Sequence, residues 1–205
     1  MDPDQIPFNA LFVGPTNSGK TKYLVDQLSS GPFRGKFDYI VLVCPTYVHN
    51  KTYNGFADND DRVFVVTPAQ DEVDTLLRAL SLLFEGTNTL LIIDDCAASK
   101  DLKGRSNQLV NLAFSARHIG ISVWVVTQQF TSIAKPYREN IAVIVLFYTP
   151  SAKDMKAIFE SYAGELSSVE KQELLNSLKS QKHSRLVFSL RHPYHIQLEL
   201  PSQVQ

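Results

Sequence analysis

The run Gly14-Pro15-Thr16-Asn17-Ser18-Gly19-Lys20-Thr21 constrains this chain more than any other stretch. It satisfies the pattern G-x-x-x-x-G-K-[ST] at each fixed position, the signature of a loop whose backbone N–H groups cradle phosphates. Ala10-Leu11-Phe12-Val13 before it reads as a short buried strand, and Lys22 to Leu28 after it carries apolar residues at helical spacing. Strand, glycine-rich loop and helix form the context that the motif requires. Gly14 and Gly19 let the backbone approach a phosphate closely, and the helix N-terminus adds partial positive charge. Lys20 is expected on the β- and γ-phosphates, and the Thr21 hydroxyl on Mg²⁺.

Composition limits what can surround this loop. At 205 residues the chain has room for one domain, or one domain with a small appendage. Its 20 basic and 21 acidic residues nearly cancel, so a nucleic-acid contact has to be local rather than a global basic field. The start, Met1 to Asn9, is polar, carries Pro3 and Pro7, and reads as neither a signal peptide nor a transit segment. No apolar run approaches membrane-spanning length. Cys44 and Cys96 each sit beside an apolar run and are expected as buried free thiols in a reducing compartment. The histidines have no ligand-like spacing, and Arg191 to His195 reads as a hairpin turn.

Taken in order, strands are expected at about Asn9 to Val13, Asp38 to Cys44, Arg62 to Val66 (a short extra one), Thr89 to Asp95, Ile121 to Thr127 and Ile141 to Tyr148. The long ones are too uniformly apolar to face solvent, which points to parallel strands covered on both sides. Helices are expected from Gly19 to Leu28, from a Thr67-Pro68-Ala69-Gln70 capping box to Gly86, from a Ser106 cap to near Gly120, from Ser151 to Tyr162, and from a Ser167/Glu170 capping box to Leu178. His49 to Asp61 reads as a polar loop with a solvated acidic cluster. Leu186 to Leu190 and His195 to Leu200 read as a closing hairpin. Alternating apolar strands and helices mean an α/β fold with right-handed crossovers, and ligands on such sheets sit at the carboxyl ends of the strands.

Four further residues carry the chemistry. Asp94 and Asp95 end a strand after Leu90-Leu91-Ile92-Ile93, the Walker-B arrangement. Asp94 is expected to hold Mg²⁺ through water, and Asp95 to orient or deprotonate an attacking water. Gln128 ends the next strand, where an amide can touch the γ-phosphate or that water. Gln129 is the alternative, and only one of two adjacent side chains faces the site. Arg117 lies late in the preceding helix, either as a favourable charge at a helix C-terminus or as an arginine finger projected to a neighbouring subunit.

The run Gly14 to Thr21, then Leu91-Ile92-Ile93-Asp94-Asp95, Ala116-Arg117-His118, and Ser122 to Thr127 with Gln128 resembles the viral genome-packaging ATPases typified by poxviruses. Related members occur in other large DNA viruses, virophages and Maverick/Polinton elements, within the FtsK–HerA branch of P-loop ATPases. The resemblance covers about Pro7 to Tyr162 and rests on the order and spacing of the motifs. It implies a RecA-like core with strand order 5-1-4-3-2 and helices on both faces. It implies ATP as the nucleotide, Mg²⁺ as the cation, and catalytic roles for Lys20, Asp95, Gln128 and Arg117. It also implies a homo-oligomeric ring that drives double-stranded DNA into a capsid, a capsid or portal partner, and a place inside the host cell of a virus or virus-like element, with association with the virion as a further option. On this reading residues 1–163 form the ATPase core. Residues 164–205 form a small helix-and-hairpin extension of the same domain, without a nuclease-like set of acids.

Two other readings compete. A nucleoside or nucleotide kinase shares the P-loop but needs an acceptor site and an arginine-bearing lid. A non-enzymatic nucleotide switch would not need Asp95 and Gln128. For DNA, the loop holding Lys100, Lys103 and Arg105 is the first candidate and the pair Lys135 and Arg138 the second, with contacts to phosphates and hence without sequence preference.

Overall fold

The apolar runs become strands because Val, Ile, Leu and Phe fill both faces of a sheet that is covered on both sides. The computed structural model describes residues 1–58, 60–69, 71–96 and 107–201. Within them eight strands form one sheet: β1 (Ala10–Val13), β2 (Tyr39–Val43), β3 (Val63–Val66), β4 (Thr89–Asp94), β5 (Ile121–Thr127), β6 (Val143–Phe147), β7 (Arg185–Ser189) and β8 (His195–Glu199). The helices are α1 (Lys20–Ser29), α2 (Val73–Leu83), α3 (Gln108–Ser115), the single turn α4 (Lys135–Arg138), α5 (Ala152–Tyr162) and α6 (Ser168–Ser180).

The sheet order is β3-β2-β4-β5-β1-β6-β7-β8. Its middle, β6-β1-β5-β4-β2, is the expected 5-1-4-3-2 core, counted without the short extra strand. That strand, β3, adds in parallel beside β2 at one edge. At the other edge β7 pairs antiparallel with β6, and β8 antiparallel with β7, so the closing hairpin is continuous with the sheet. Registers such as Val13↔Thr127, Val13↔Leu146 and Asp94↔Val126 bring the carboxyl ends of the parallel strands to one edge.

Helices lie on both faces, but unevenly. Leu11 and Val13 point to the face covered by α2, α3, α4, α5 and α6. Ala10 and Phe12 point to the other, where α1 is the covering helix and aromatic loop residues complete the cover. Trp124 sits at the centre of this second core, fully buried, with Phe8, Phe12, Phe33 and Phe37 all within 6.0 Å between ring centroids.

Two helix starts differ from the sequence reading. α2 begins at Val73 rather than near Pro68. Glu72 is its N-cap, and the Glu72 carboxylate reaches back to the Ala69 N–H at 3.2 Å. Gln70 lies outside the described residues. The first apolar residue after Pro68 that meets the sheet is Val73, so packing rather than the cap signal sets the start. α3 is capped by Asn107, whose side chain accepts from the Val110 N–H at 2.8 Å. The Ser106 cap and the loop with Lys100, Lys103 and Arg105 lie outside the described residues. The other caps follow expectation: Ser151 accepts from the Asp154 N–H, and Ser167 with Glu170 forms a full capping box.

Cys44 and Cys96 are buried and free. Among the described residues no helix is long and apolar enough to cross a membrane. Asp60 is not simply solvated, because it forms an ion pair with Arg62 at 2.6 Å.

Trp124 gives a stability test. Trp124→Ala empties the centre of the aromatic core and is expected to cost about 3–5 kcal/mol in urea unfolding. The Trp124 indole N–H is buried without a hydrogen-bond partner. Trp124→Phe is therefore expected to cost much less, since the lost volume is partly offset by removing an unsatisfied donor.

Candidate functional site

The site is assembled at the carboxyl edge of the sheet, where β1, β4 and β5 end. The turn after β1 is tight. A Cβ on Gly14 would come within 2.7 Å of Phe147 Cβ and 2.8 Å of Ser18 Oγ, so a side chain there would close the loop. Gly19 has φ +99, a conformation that L residues rarely adopt, and α1 starts directly after it. A cleft of about 770 Å³ opens over this loop and includes Lys20, Thr21, Asp94, Asp95 and Gln128 in its wall.

Lys20 is buried, and its ammonium donates to the Pro15 carbonyl at 2.8 Å. Burial holds the Lys20 ammonium below the usual lysine value, while the charges of Asp94 and Asp95 pull it back up. Ser18 Oγ is buried with no hydrogen-bond partner. A buried cation leaning on a single carbonyl, beside an unsatisfied hydroxyl, fits a site built for an anion with several acceptor oxygens. The residues Gly14 to Thr21 thus fit a polyphosphate.

Asp94 closes β4 and is also buried. The Thr21 hydroxyl donates to its Oδ2 at 3.2 Å and the Tyr53 hydroxyl to the same oxygen at 2.7 Å. Burial pushes the Asp94 carboxyl above the usual carboxylate range; Tyr53, Thr21 and Lys20 oppose the rise and Asp95 adds to it. Thr21 and Asp94 fit a hard divalent cation, since both present oxygen atoms in one corner of the cleft. Asp95 follows with φ 58. Consecutive strand side chains point to opposite faces, and this left-handed residue breaks that alternation, so both acids reach the cleft. Asp95 accepts from the Thr46 hydroxyl at 2.7 Å.

Of the two glutamines after β5, Gln128 lies in the wall of the cleft. The backbone carbonyl of Gln129 is engaged by the hydroxyls of Thr127 and Ser132. Arg117 is not brought to this edge. It is exposed in a 3₁₀ turn, Ala116–Ile119, that leads into the amino end of β5, while Gln128 follows the carboxyl end. The seven residues of β5 separate the two by about 23 Å. The charge of Arg117 is felt by Arg191, whose guanidinium is held below its ordinary value first by burial and then by that charge. The second basic pair is engaged locally. Lys135 pairs with Glu139 at 3.4 Å, and Arg138 donates to the Ile133 carbonyl while stacking 4.5 Å over the Phe130 ring.

Sequence reasoning missed Thr46 and Tyr53. Thr46 had a signal, since a hydroxyl just past the carboxyl end of β2 stands at the ligand edge. Tyr53 had none. It lies in a polar segment that folds as two 3₁₀ turns, Tyr47–His49 and Lys51–Tyr53, and its burial against α1 and Asp94 is a tertiary event.

The raised carboxyl of Asp94 has a measurable sign. An acid whose folded pKa exceeds its unfolded value costs stability as pH rises from the ordinary carboxylate range through the folded value. Asp94→Asn keeps an acceptor for Tyr53 and Thr21 and removes the buried charge. The nucleotide-free variant is expected to melt at a higher temperature than the unsubstituted chain at neutral pH. The gain should vanish as pH falls below about 4, where the unfolded carboxyl is protonated too.

The model of the poxvirus A32 protein family matches residues 4–191. No curated protein sequence matches the chain significantly. Among solved structures, B204, the DNA-packaging ATPase from Sulfolobus turreted icosahedral virus, superposes with a TM-score of 0.70 at 19% identity, over 98% of this chain and 99% of that chain. The genome packaging NTPase B204 from Sulfolobus turreted icosahedral virus 2, in complex with ATP-gammaS, gives 0.71 at 18% identity, over 98% and 99%. The N-terminal domain of zonular occludens toxin from Neisseria meningitidis gives 0.51 at 10% identity, over 96% and 95%. At these identities the structural likenesses establish the shared fold. The family match establishes more, and it runs past Tyr162 through α6 and β7: this chain belongs to the poxvirus A32 protein family.

Proposed function

We propose that this chain is an ATP hydrolase that drives double-stranded viral DNA into a capsid. One observation carries the hydrolase reading: a P-loop with a buried Lys20, the Thr21–Asp94 contact, Asp95 and Gln128 share one cleft. The packaging reading is supported by family membership and by the fold shared with B204, a packaging NTPase solved with ATP-gammaS.

The residues divide the work by position. The backbone from Gly14 to Thr21 binds the phosphate chain, with Lys20 on the β- and γ-phosphates. Thr21 and Asp94 would hold Mg²⁺, which when bound neutralises charge on those phosphates. Among the described residues no three His, Cys, Asp or Glu side chains gather into a metal site. Asp95, held by Thr46, orients the attacking water or takes its proton, and Gln128 lies within the same wall to position it. An acid and an amide grouped in this way suit water as the acceptor, which favours hydrolysis over a kinase reaction.

Lys20→Ala removes the charge-assisted phosphate contact, and ATP hydrolysis is expected to be lost. Asp95→Asn is expected to bind ATP near normally and to turn over at least about 10²-fold more slowly, within the range of a positioned base. A phosphate-release assay beside equilibrium binding separates the two. Normal turnover in folded Asp95→Asn protein would show that another group activates water.

The position of Arg117 bears on assembly. It stands at the far end of β5 from its own P-loop, so a role on phosphate requires a neighbouring subunit in the ring. An arginine supplied in this way contributes on the order of 10³–10⁵ in rate. Arg117→Ala and Lys20→Ala subunits should each be inactive alone, and co-assembled mixtures should regain part of the activity. Mixed rings that stay inactive would remove Arg117 from catalysis.

A further inference from the structure

The turn between α6 and β7 has no task in the account above, yet it touches the P-loop. β7 runs antiparallel to β6, with Phe147 opposite Arg185. Its first residue, not its last, therefore lies at the edge where the parallel strands end. The preceding residues, 181–184, are delivered to the cleft by this reversal. His183 Nδ1 lies 2.9 Å from the Ser18 carbonyl oxygen. A carbonyl can only accept, so the nitrogen carries the proton and donates.

Gly19 makes room for this contact. A Cβ there would come within 2.9 Å of His183 Nδ1. His183 itself is held at φ 68, an uncommon conformation for a residue with a side chain. Two residues on, the Arg185 guanidinium lies 4.0 Å over the ring of Tyr23 in α1 and pairs with Glu199 of β8 at 2.7 Å. The α6–β7 turn and β7 are thus fastened to both the loop and its helix. Lys182, exposed, joins His183 in the wall of the cleft.

The order of strands says which part of a nucleotide this wall faces. Along the edge run β4, β5, β1, β6 and β7. The same order places Asp94 and Asp95, then Gln128, then the P-loop, then the turn. The acids and the turn flank the P-loop from opposite sides. The acids and Gln128 mark the end at which water attacks, which leaves the nucleoside for the other end.

We propose that the α6–β7 turn is the nucleoside wall of the site: Lys182 donates to the ribose or base of the bound nucleotide, and His183 holds the P-loop backbone in place as a positioning residue. The proposal rests on the reading of the cleft as an ATP site. Its test compares ADP with inorganic tripolyphosphate, a probe without a nucleoside, by calorimetry on the full chain.

Lys182→Met keeps the length of the side chain and removes the donor. ADP affinity is expected to fall about 10-fold while tripolyphosphate affinity stays within about 2-fold. His183→Gly adopts a positive φ without strain and deletes only the ring. Both ligands should weaken together, by about 5-fold. His183→Asn places an amide Nδ2 where the imidazole Nδ1 stands, and should restore both. Loss of the two ligands in equal measure in Lys182→Met would put Lys182 on the phosphates and overturn the nucleoside assignment, as would unchanged ADP binding. Unaltered binding in His183→Gly, or failure of His183→Asn to restore it, would overturn the positioning role. If the unsubstituted chain binds ADP and tripolyphosphate and Lys20→Ala does not, the ATP-site reading stands whatever the turn does. If the unsubstituted chain binds neither, that reading falls and the wall with it.

Discussion

The parallel direction of the strands is the constraint on which the rest of this structure depends. Right-handed crossovers return each parallel strand to the same side, so the strands of the parallel core all end at one edge. The turn after β1, the acids at the end of β4 and the glutamine after β5 meet there although the first and the last of them are more than a hundred residues apart in sequence. The strands can be short and wholly apolar because both faces are covered. Polar chemistry is thereby confined to their ends.

That confinement produces the electrostatics of the cleft. A lysine and an aspartate are both buried at the end of an apolar sheet, and burial disfavours the charged form of each. Their mutual field offsets part of this, as do the hydroxyls of Thr21 and Tyr53 on Asp94. The buried Ser18 hydroxyl remains without a partner. A polyphosphate with its cation would supply the opposite charge on both sides at once. The nucleotide-free site is therefore the less comfortable state, and binding energy is available to close it.

The strand reversal at β7 matters for a related reason. Among the described residues the sheet changes direction at two places, the β6–β7 pair and the β7–β8 hairpin that follows. The first of these brings the start of a strand, and the helix end before it, to the ligand edge. A purely parallel sheet would have carried that turn to the opposite side. Through His183 to Ser18 and through Arg185 to Tyr23, the α6–β7 turn and β7 are tied to the P-loop and its helix.

Local sequence determined the P-loop, the strands and the Ser167/Glu170 capping box, because each is encoded by residues within a few positions of one another. Gly14 to Thr21 are placed by their motif between a strand and a helix, and Asp94 and Asp95 by the apolar run that they end. The five-strand core order came from resemblance, and the sheet contains it. What needed the tertiary structure were the contacts made across long separations. Tyr53 donates to a carboxylate 41 positions away, and His183 to a carbonyl 165 positions away. Neither contact leaves a pattern in its own neighbourhood, so Tyr53 read as loop and His183 as one unplaced histidine. The start of α2 belongs to the same class, because contact with the sheet at Val73 outweighed a plausible cap at Thr67. Arg117 had two open readings in sequence, and the strand direction put it at the edge away from its own P-loop. Periodicity says which residues form a strand; only the assembled sheet says which strand ends share a cleft.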